Sequence, residues 1–97
     1  MTALLVARFN VTDADRMEAY GAAAGPLVSA YGGVFLEHGL SGEVLEGEER
    51  TENLAVFRFP DVATAKQFFS SEEYQSVKAL RAGAAEMHIS LYEATAL

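Results

Sequence analysis

The sequence predicts an α+β fold, a four-stranded antiparallel sheet with its helices on one face, and three observations point to it. Four segments alternate apolar residues with period two, others place them at helical spacing, and glycine, proline or a capping residue separates the two kinds. The first strand, residues 3–11 (ALLVARFNV), sets Ala3, Leu5, Ala7, Phe9 and Val11 on one face and Leu4, Val6, Arg8 and Asn10 on the other. Thr12 and Asp15 then have capping-box spacing for a helix whose inner stripe is Met17, Tyr20, Ala24, Leu27, Val28 and Tyr31, closed by Gly32 and Gly33. Pro26 falls inside that helix, where it removes a hydrogen bond to Ala22 at a usual cost of about 3 kcal/mol, so a kink or break at Gly25-Pro26 is expected.

Residues 33–38 (GVFLEH) form the second strand. The acidic stretch 41–53 carries Glu43, Glu46, Glu48, Glu49 and Glu52 and reads as a solvated hairpin or loop with a short strand. Residues 54–59 (LAVFRF) alternate Ala55, Phe57 and Phe59 against Leu54, Val56 and Arg58. Pro60 and Asp61 stop this strand and cap a helix that presents Val62, Ala65, Phe68 and Phe69 to a core. Ser70 and Glu73 repeat the capping-box spacing for a further short helix, with Gly83 as its stop. The last strand sets Met87, Ile89 and Leu91 opposite His88, Ser90 and Tyr92.

The order strand, helix, strand, strand, helix, strand, with the second helix split, is the ferredoxin-like βαββαβ pattern, in which right-handed crossovers put both helices on one sheet face. Residues 1–97 are long enough for one domain with a thin core. Leu4, Val6, Leu54, Val56 and Tyr92 fall on the face without helices and are too apolar for open water, which predicts a homodimer with two sheets packed face to face.

Composition narrows the partners. Seven basic residues against fourteen acidic give a net charge of −7, which repels nucleic acid and anionic lipid. No cysteine is present, so disulfides and thiolate chemistry are excluded. The start, MTALLVARFN, does not read as a signal peptide and no apolar run is long enough to span a bilayer, so a cytoplasmic protein is expected. His38 and His88 lack metal-ligand spacing, and no metal or cofactor is expected. Gly21, Gly25, Gly32 and Gly33 miss the nucleotide-binding patterns, and Ser41 and Ser90 lack a nucleophile-elbow context.

The phrases AYGGVFL, VLEGEE, FRFPDVATAKQFF and, most specifically, SEEYQSVKALRAGAAE resemble the DUF1330 family of bacterial domains of unknown function, over nearly the whole chain. The resemblance implies a dimeric α/β barrel, a superfamily that also holds cofactor-independent monooxygenases, muconolactone isomerases and chlorite dismutases, with a cavity between sheet and helices. Members of the family commonly carry basic residues after the paired glycines, where this chain has Val34 and His38, and they tend to have a proline where Pro26 stands.

Three groups of residues are candidates for chemistry. With the first and third strands read as parallel neighbours, Arg8, Arg58 and His88 converge at one end of the uncovered sheet face, where two guanidinium groups would hold a carboxylate and His88 would move a proton. Tyr20 and Tyr31, from the first helix, and Tyr92, from the sheet, are expected to turn hydroxyls toward a ligand. Tyr74, Val77, Lys78 and Arg81 share one stripe of the last helix, beside an apolar stripe of Val77, Leu80 and Ala84. Lys66, Lys78 and Arg81 make a positive strip that would draw anions to a pocket mouth, or pair with Glu72 and Glu73. Together these features predict a homodimer binding a small anionic or aromatic molecule. The alternatives are a cofactor-independent monooxygenase or isomerase with His88 as proton shuttle, and a purely structural dimerisation module.

Overall fold

The computed structural model describes residues 1–48 and 53–95. Its elements are β1 (Ala3–Val11), α1 (Ala14–Ala30), β2 (Val34–Gly39), β3 (Asn53–Phe59), α2 (Val62–Ser70), α3 (Glu72–Lys78), a 3-10 turn (Ala79–Arg81) and β4 (Ala85–Glu93). The strands lie in the order β2-β3-β1-β4, every neighbouring pair antiparallel, which is the ferredoxin-like βαββαβ arrangement. Of the acidic stretch, residues 40–48 form no strand, and Glu49 and Glu52 lie outside the described residues. No helix among the described residues is long and apolar enough to cross a membrane.

β1 and β3 are antiparallel, which corrects the parallel pairing expected above. Each strand-helix-strand crossover restores the chain's direction, whereas the reversal after β2 inverts it, so β3 must run against β1. Alternation sorts the side chains as the pattern predicts. Ala3, Leu5, Ala7, Phe9, Ala55 and Phe59 are buried on the helix side. Across the other side run the rows Val34, Arg58, Leu4, Tyr92 and then Leu54, Arg8, His88. Val34, Leu54 and Tyr92 are exposed there, and Leu4, Val6 and Val56 are half-buried.

The helices begin one residue away from two of the expected caps. Asp13, not Thr12, caps α1, its Oδ1 accepting from Arg16 N at 3.1 Å. Thr12 is engaged elsewhere: its hydroxyl donates to the Gly83 carbonyl at 3.1 Å and its amide to Ala84 O at 2.8 Å. Ser71, not Ser70, caps α3; it accepts from Tyr74 N at 3.1 Å and donates to Phe68 O at 2.7 Å. Ser70 instead donates to the Lys66 carbonyl. Asp61 caps α2 as expected, accepting from Thr64 N at 2.7 Å.

α1 continues through Pro26 without the expected break. Gly25 gives the reason: an α-helical residue before proline normally collides through its Cβ with the proline Cδ, and glycine has no Cβ. After α1, Gly32 takes a φ of +77°, and a Cβ on Gly33 would lie 2.6 Å from Val28 Cγ1 and 2.9 Å from the Phe59 ring, so the chain passes there only as glycine.

Candidate functional site

A cavity of about 400 Å³ lies between the sheet and α1, with α3 contributing Tyr74. Its floor includes Ala7, Phe9, Ala55 and Met87. The space exists because α1 turns Gly21, Ala24 and Gly25 toward the sheet, and a Cβ on either glycine would meet nothing within 4 Å. Three of its seventeen lining residues, Tyr20, His38 and Tyr74, carry a polar side-chain hydrogen-bonding group, so it suits a largely apolar molecule. A second hollow of about 340 Å³ lies between α2 and β4, with Lys66 and Ser70 on its wall.

Tyr74 is positioned by the Ser71 cap and by ring contacts with Phe68 and Phe69, at centroid distances of 4.7 and 5.1 Å, and is 2% exposed. Its hydroxyl lies 2.7 Å from that of Tyr20. Arg81 joins them, its Cζ 5.5 Å from the Tyr20 ring centroid, and its buried Nε has no hydrogen-bond partner among the described residues. The 3-10 turn bearing Arg81 is held by Ala84 N donating to Arg81 O and by Thr12 and Asp13 amides donating to Ala84 O. Burial raises the Tyr20 hydroxyl well above the ordinary phenol range and the bond to Tyr74 adds to this, while the nearby Arg81 charge opposes it.

His38 comes from β2, its ring stacked on Phe9 at 5.9 Å and edge-on to Phe35 at 6.3 Å. Strict alternation from Phe35 would turn His38 to the uncovered face. A bulge intervenes: Phe35 faces Phe57, but Glu37 faces Val56 and His38 faces Ala55, so Leu36 is an extra residue and the phase shifts by one.

The structure divides the expected site residues. Tyr20 lines the cavity and Arg81 stands beside it. Tyr31 packs edge-on against Phe68 at 5.8 Å and is not in the cavity wall. Tyr92 is exposed on the uncovered face. Arg8 and His88 are direct cross-strand neighbours, but Arg58 pairs with Leu4, four residues along β1 and therefore about 13 Å away. The expected convergence of Arg8, Arg58 and His88 rested on a parallel β1-β3 pair and does not occur. His88 Nε2 lies 3.3 Å from Glu86 Oε1 at an exposed position.

The last helix also departs from expectation. Tyr74 is in the core and Leu80 is exposed. No ion pair among the described residues joins Lys66, Lys78 or Arg81 to Glu72 or Glu73; Lys78 instead sits over the Phe69 ring, Nζ 5.4 Å from its centroid. Sequence reasoning missed His38 and the cavity role of Tyr74. The i, i+4 glycines at 21 and 25 on an otherwise apolar helix stripe were the available signal for a hollow there.

Solved structures share this architecture. RPA0582, a protein of unknown function from Rhodopseudomonas palustris, matches over 99% of this chain and 84% of its own, with 17% identity and a TM-score of 0.81. A dimeric ferredoxin-like protein of unknown function from Jannaschia sp. CCS1 matches over 97% of this chain and all of its own, at 14% identity and a TM-score of 0.75. SnoaB, a cofactor-independent oxygenase from Streptomyces nogalater, matches over 99% of this chain and 95% of its own, at 14% identity and a TM-score of 0.70. Among curated proteins none matches the sequence. The sequence profile of the Domain of unknown function DUF1330 matches residues 2–95, and the chain belongs to that family.

Proposed function

We propose that residues 1–97 form one domain of a bacterial, cytoplasmic homodimer that takes a small anionic or aromatic molecule into the cavity under α1. The cavity carries this reading: about 400 Å³ of apolar space kept open by two glycines on α1, of which Gly21 stands where alanine would favour the helix. A purely structural dimerisation module has no use for such a space and would be more stable with it filled. Dimerisation is supported by the uncovered apolar rows Leu4, Val6, Val34, Leu54, Val56 and Tyr92, and by neighbours of this fold described as dimeric.

Two measurements test the proposal. Light scattering is expected to report twice the 10.4 kDa chain mass, and a 10.4 kDa particle at micromolar concentration would refute the dimer. Gly21→Leu, which places a side chain in the open space, is expected to abolish binding of 1-naphthol with the fold intact. Undiminished binding would exclude the cavity as the site.

A second reading, a cofactor-independent oxygenase or isomerase, is favoured by one observation. His38 shares the cavity with two phenol hydroxyls, which gives one space both a proton acceptor and hydrogen-bond donors. Under that reading His38 takes the proton-transfer role first expected of His88. Any turnover found should vanish in His38→Ala and survive in His88→Ala; the reverse result would return the role to His88.

A further inference from the structure

We infer that Tyr20 and Tyr74, backed by Arg81, are the head-group site of this cavity, and that its ligand is an apolar carboxylic acid bound as the carboxylate. The inference rests on the reading of the cavity as a ligand site. It starts from a count of donors. Two phenols hold two O–H groups, and the single 2.7 Å contact between them uses one, whichever of the two donates. The other has no acceptor among the described residues.

Arg81 adds a second unspent donor, its buried Nε, together with a full positive charge against the Tyr20 ring. A buried donor without an acceptor destabilises the fold, and the guanidinium that carries this one is itself half-buried. No acidic side chain among the described residues pairs with Arg81, and Glu72 and Glu73 on the adjoining helix are exposed. A second guanidinium stands at the same end of the molecule, Arg16 Nη1 lying 3.6 Å from where a Cβ on Gly83 would be. In a chain of net charge −7 two guanidinium groups thus share one corner, where the Asp13 carboxylate already accepts from the Arg16 amide.

One oxygen-bearing anion would satisfy it. A carboxylate oxygen would accept the spare phenol O–H, with the Arg81 charge behind the Tyr20 ring favouring the ionised ligand. Both tyrosines line the cavity, so the body of the molecule would extend from them over Phe9, Ala55 and Phe57. In this arrangement Arg81 is a positioning residue that acts through Tyr20.

Calorimetric titration with a matched pair of probes, 1-naphthoate and 1-naphthalenemethanol, decides the matter. The wild type is expected to bind the carboxylate about tenfold or more tightly than the alcohol, the usual worth of a charged hydrogen bond. The double variant Tyr20→Phe/Tyr74→Phe, which removes both O–H groups, and Arg81→Gln should each erase most of that preference, whereas either phenylalanine alone still leaves one O–H and should keep much of it; Arg81→Lys should restore it by restoring the charge. Circular dichroism checks that each variant folds, and Arg81→Gln covers the double variant should that one not fold. Equal wild-type affinities, or a preference that survives both the double variant and Arg81→Gln, would overturn the head-group assignment and leave the cavity reading standing. Binding of neither probe would overturn both. A loss in Arg81→Gln that lysine does not repair would remove Arg81 from the site.

Discussion

One helix covers two very different halves of the same sheet. Toward its C-terminal end α1 presents Val28 to a solid cluster of Ala3, Phe59 and Ala65, with Phe68 and Tyr74 on its border with the cavity. The packing there is so close that Gly33 has no room for a Cβ. Around its middle the same helix presents Gly21, Ala24 and Gly25 above Ala7, Phe9 and Ala55, and a hollow is left. The backbone architecture is common to both halves. Side-chain volume along a single helical stripe therefore decides which half is core and which is receptacle.

The largest test of that contrast is Phe59→Ala against Phe9→Ala. In the solid half, truncating Phe59, which borders neither hollow, is expected to cost about 3–5 kcal/mol in urea unfolding. Phe9 already borders empty space, so its truncation forfeits fewer contacts and should cost less than half as much. Equal losses would mean that the hollow half is packed in solution.

Next in size is Gly33→Ala. Its new methyl would drive into Val28 and Phe59 and is expected to cost about 1–3 kcal/mol by overpacking. Gly21→Ala should have the opposite sign and stabilise by about 0.5–1 kcal/mol, since alanine is the better helix former and its Cβ meets nothing. Gly25→Ala should show no such gain, because its Cβ would face the Pro26 ring. Thermal melts of the three variants read these differences directly.

The smallest effect concerns Asp61, the cap of the helix that roofs the solid half. Its exposed carboxyl lies below its ordinary value of 3.8, chiefly because the Thr64 amide donates to the ionised form. A depressed carboxyl contributes stability above its unfolded value and loses it as pH falls through the folded one. Wild-type melting temperature should therefore drop more on acidification below 3.8 than that of Asp61→Asn, which keeps a capping oxygen but does not titrate. Parallel curves would remove Asp61 from the acid response.

Much of the fold was legible because period and punctuation are local properties. The inner stripe from Met17 to Tyr31, the alternation in β1, β3 and β4, and the Asp61 cap all follow from near neighbours. The cap positions at Thr12 and Ser70 misled by one residue, since Asp13 and Ser71 offer equally good oxygens and only tertiary bonds choose between them. Thr12, for example, is drawn away by Gly83, seventy-one residues distant.

The site was less legible for the same reason. Arg58 was misplaced by the sense of one strand, which no side chain in that strand encodes. Tyr74 and Arg81 stood out by spacing, but their meeting with Tyr20 depends on how α3 and the 3-10 turn fold back against α1. His38 was hidden by a bulge that leaves no mark in the alternation of GVFLEH.

That bulge makes Leu36 a spacer, and Phe35 and His38 both face the helices only because Leu36 stands outside the ladder. Were Leu36 paired with Val56 instead, the imidazole two places later would stand opposite Leu54, on the other side of the sheet. The chain would keep its strands and its helices, and the wall facing the two phenols would be left with no nitrogen base.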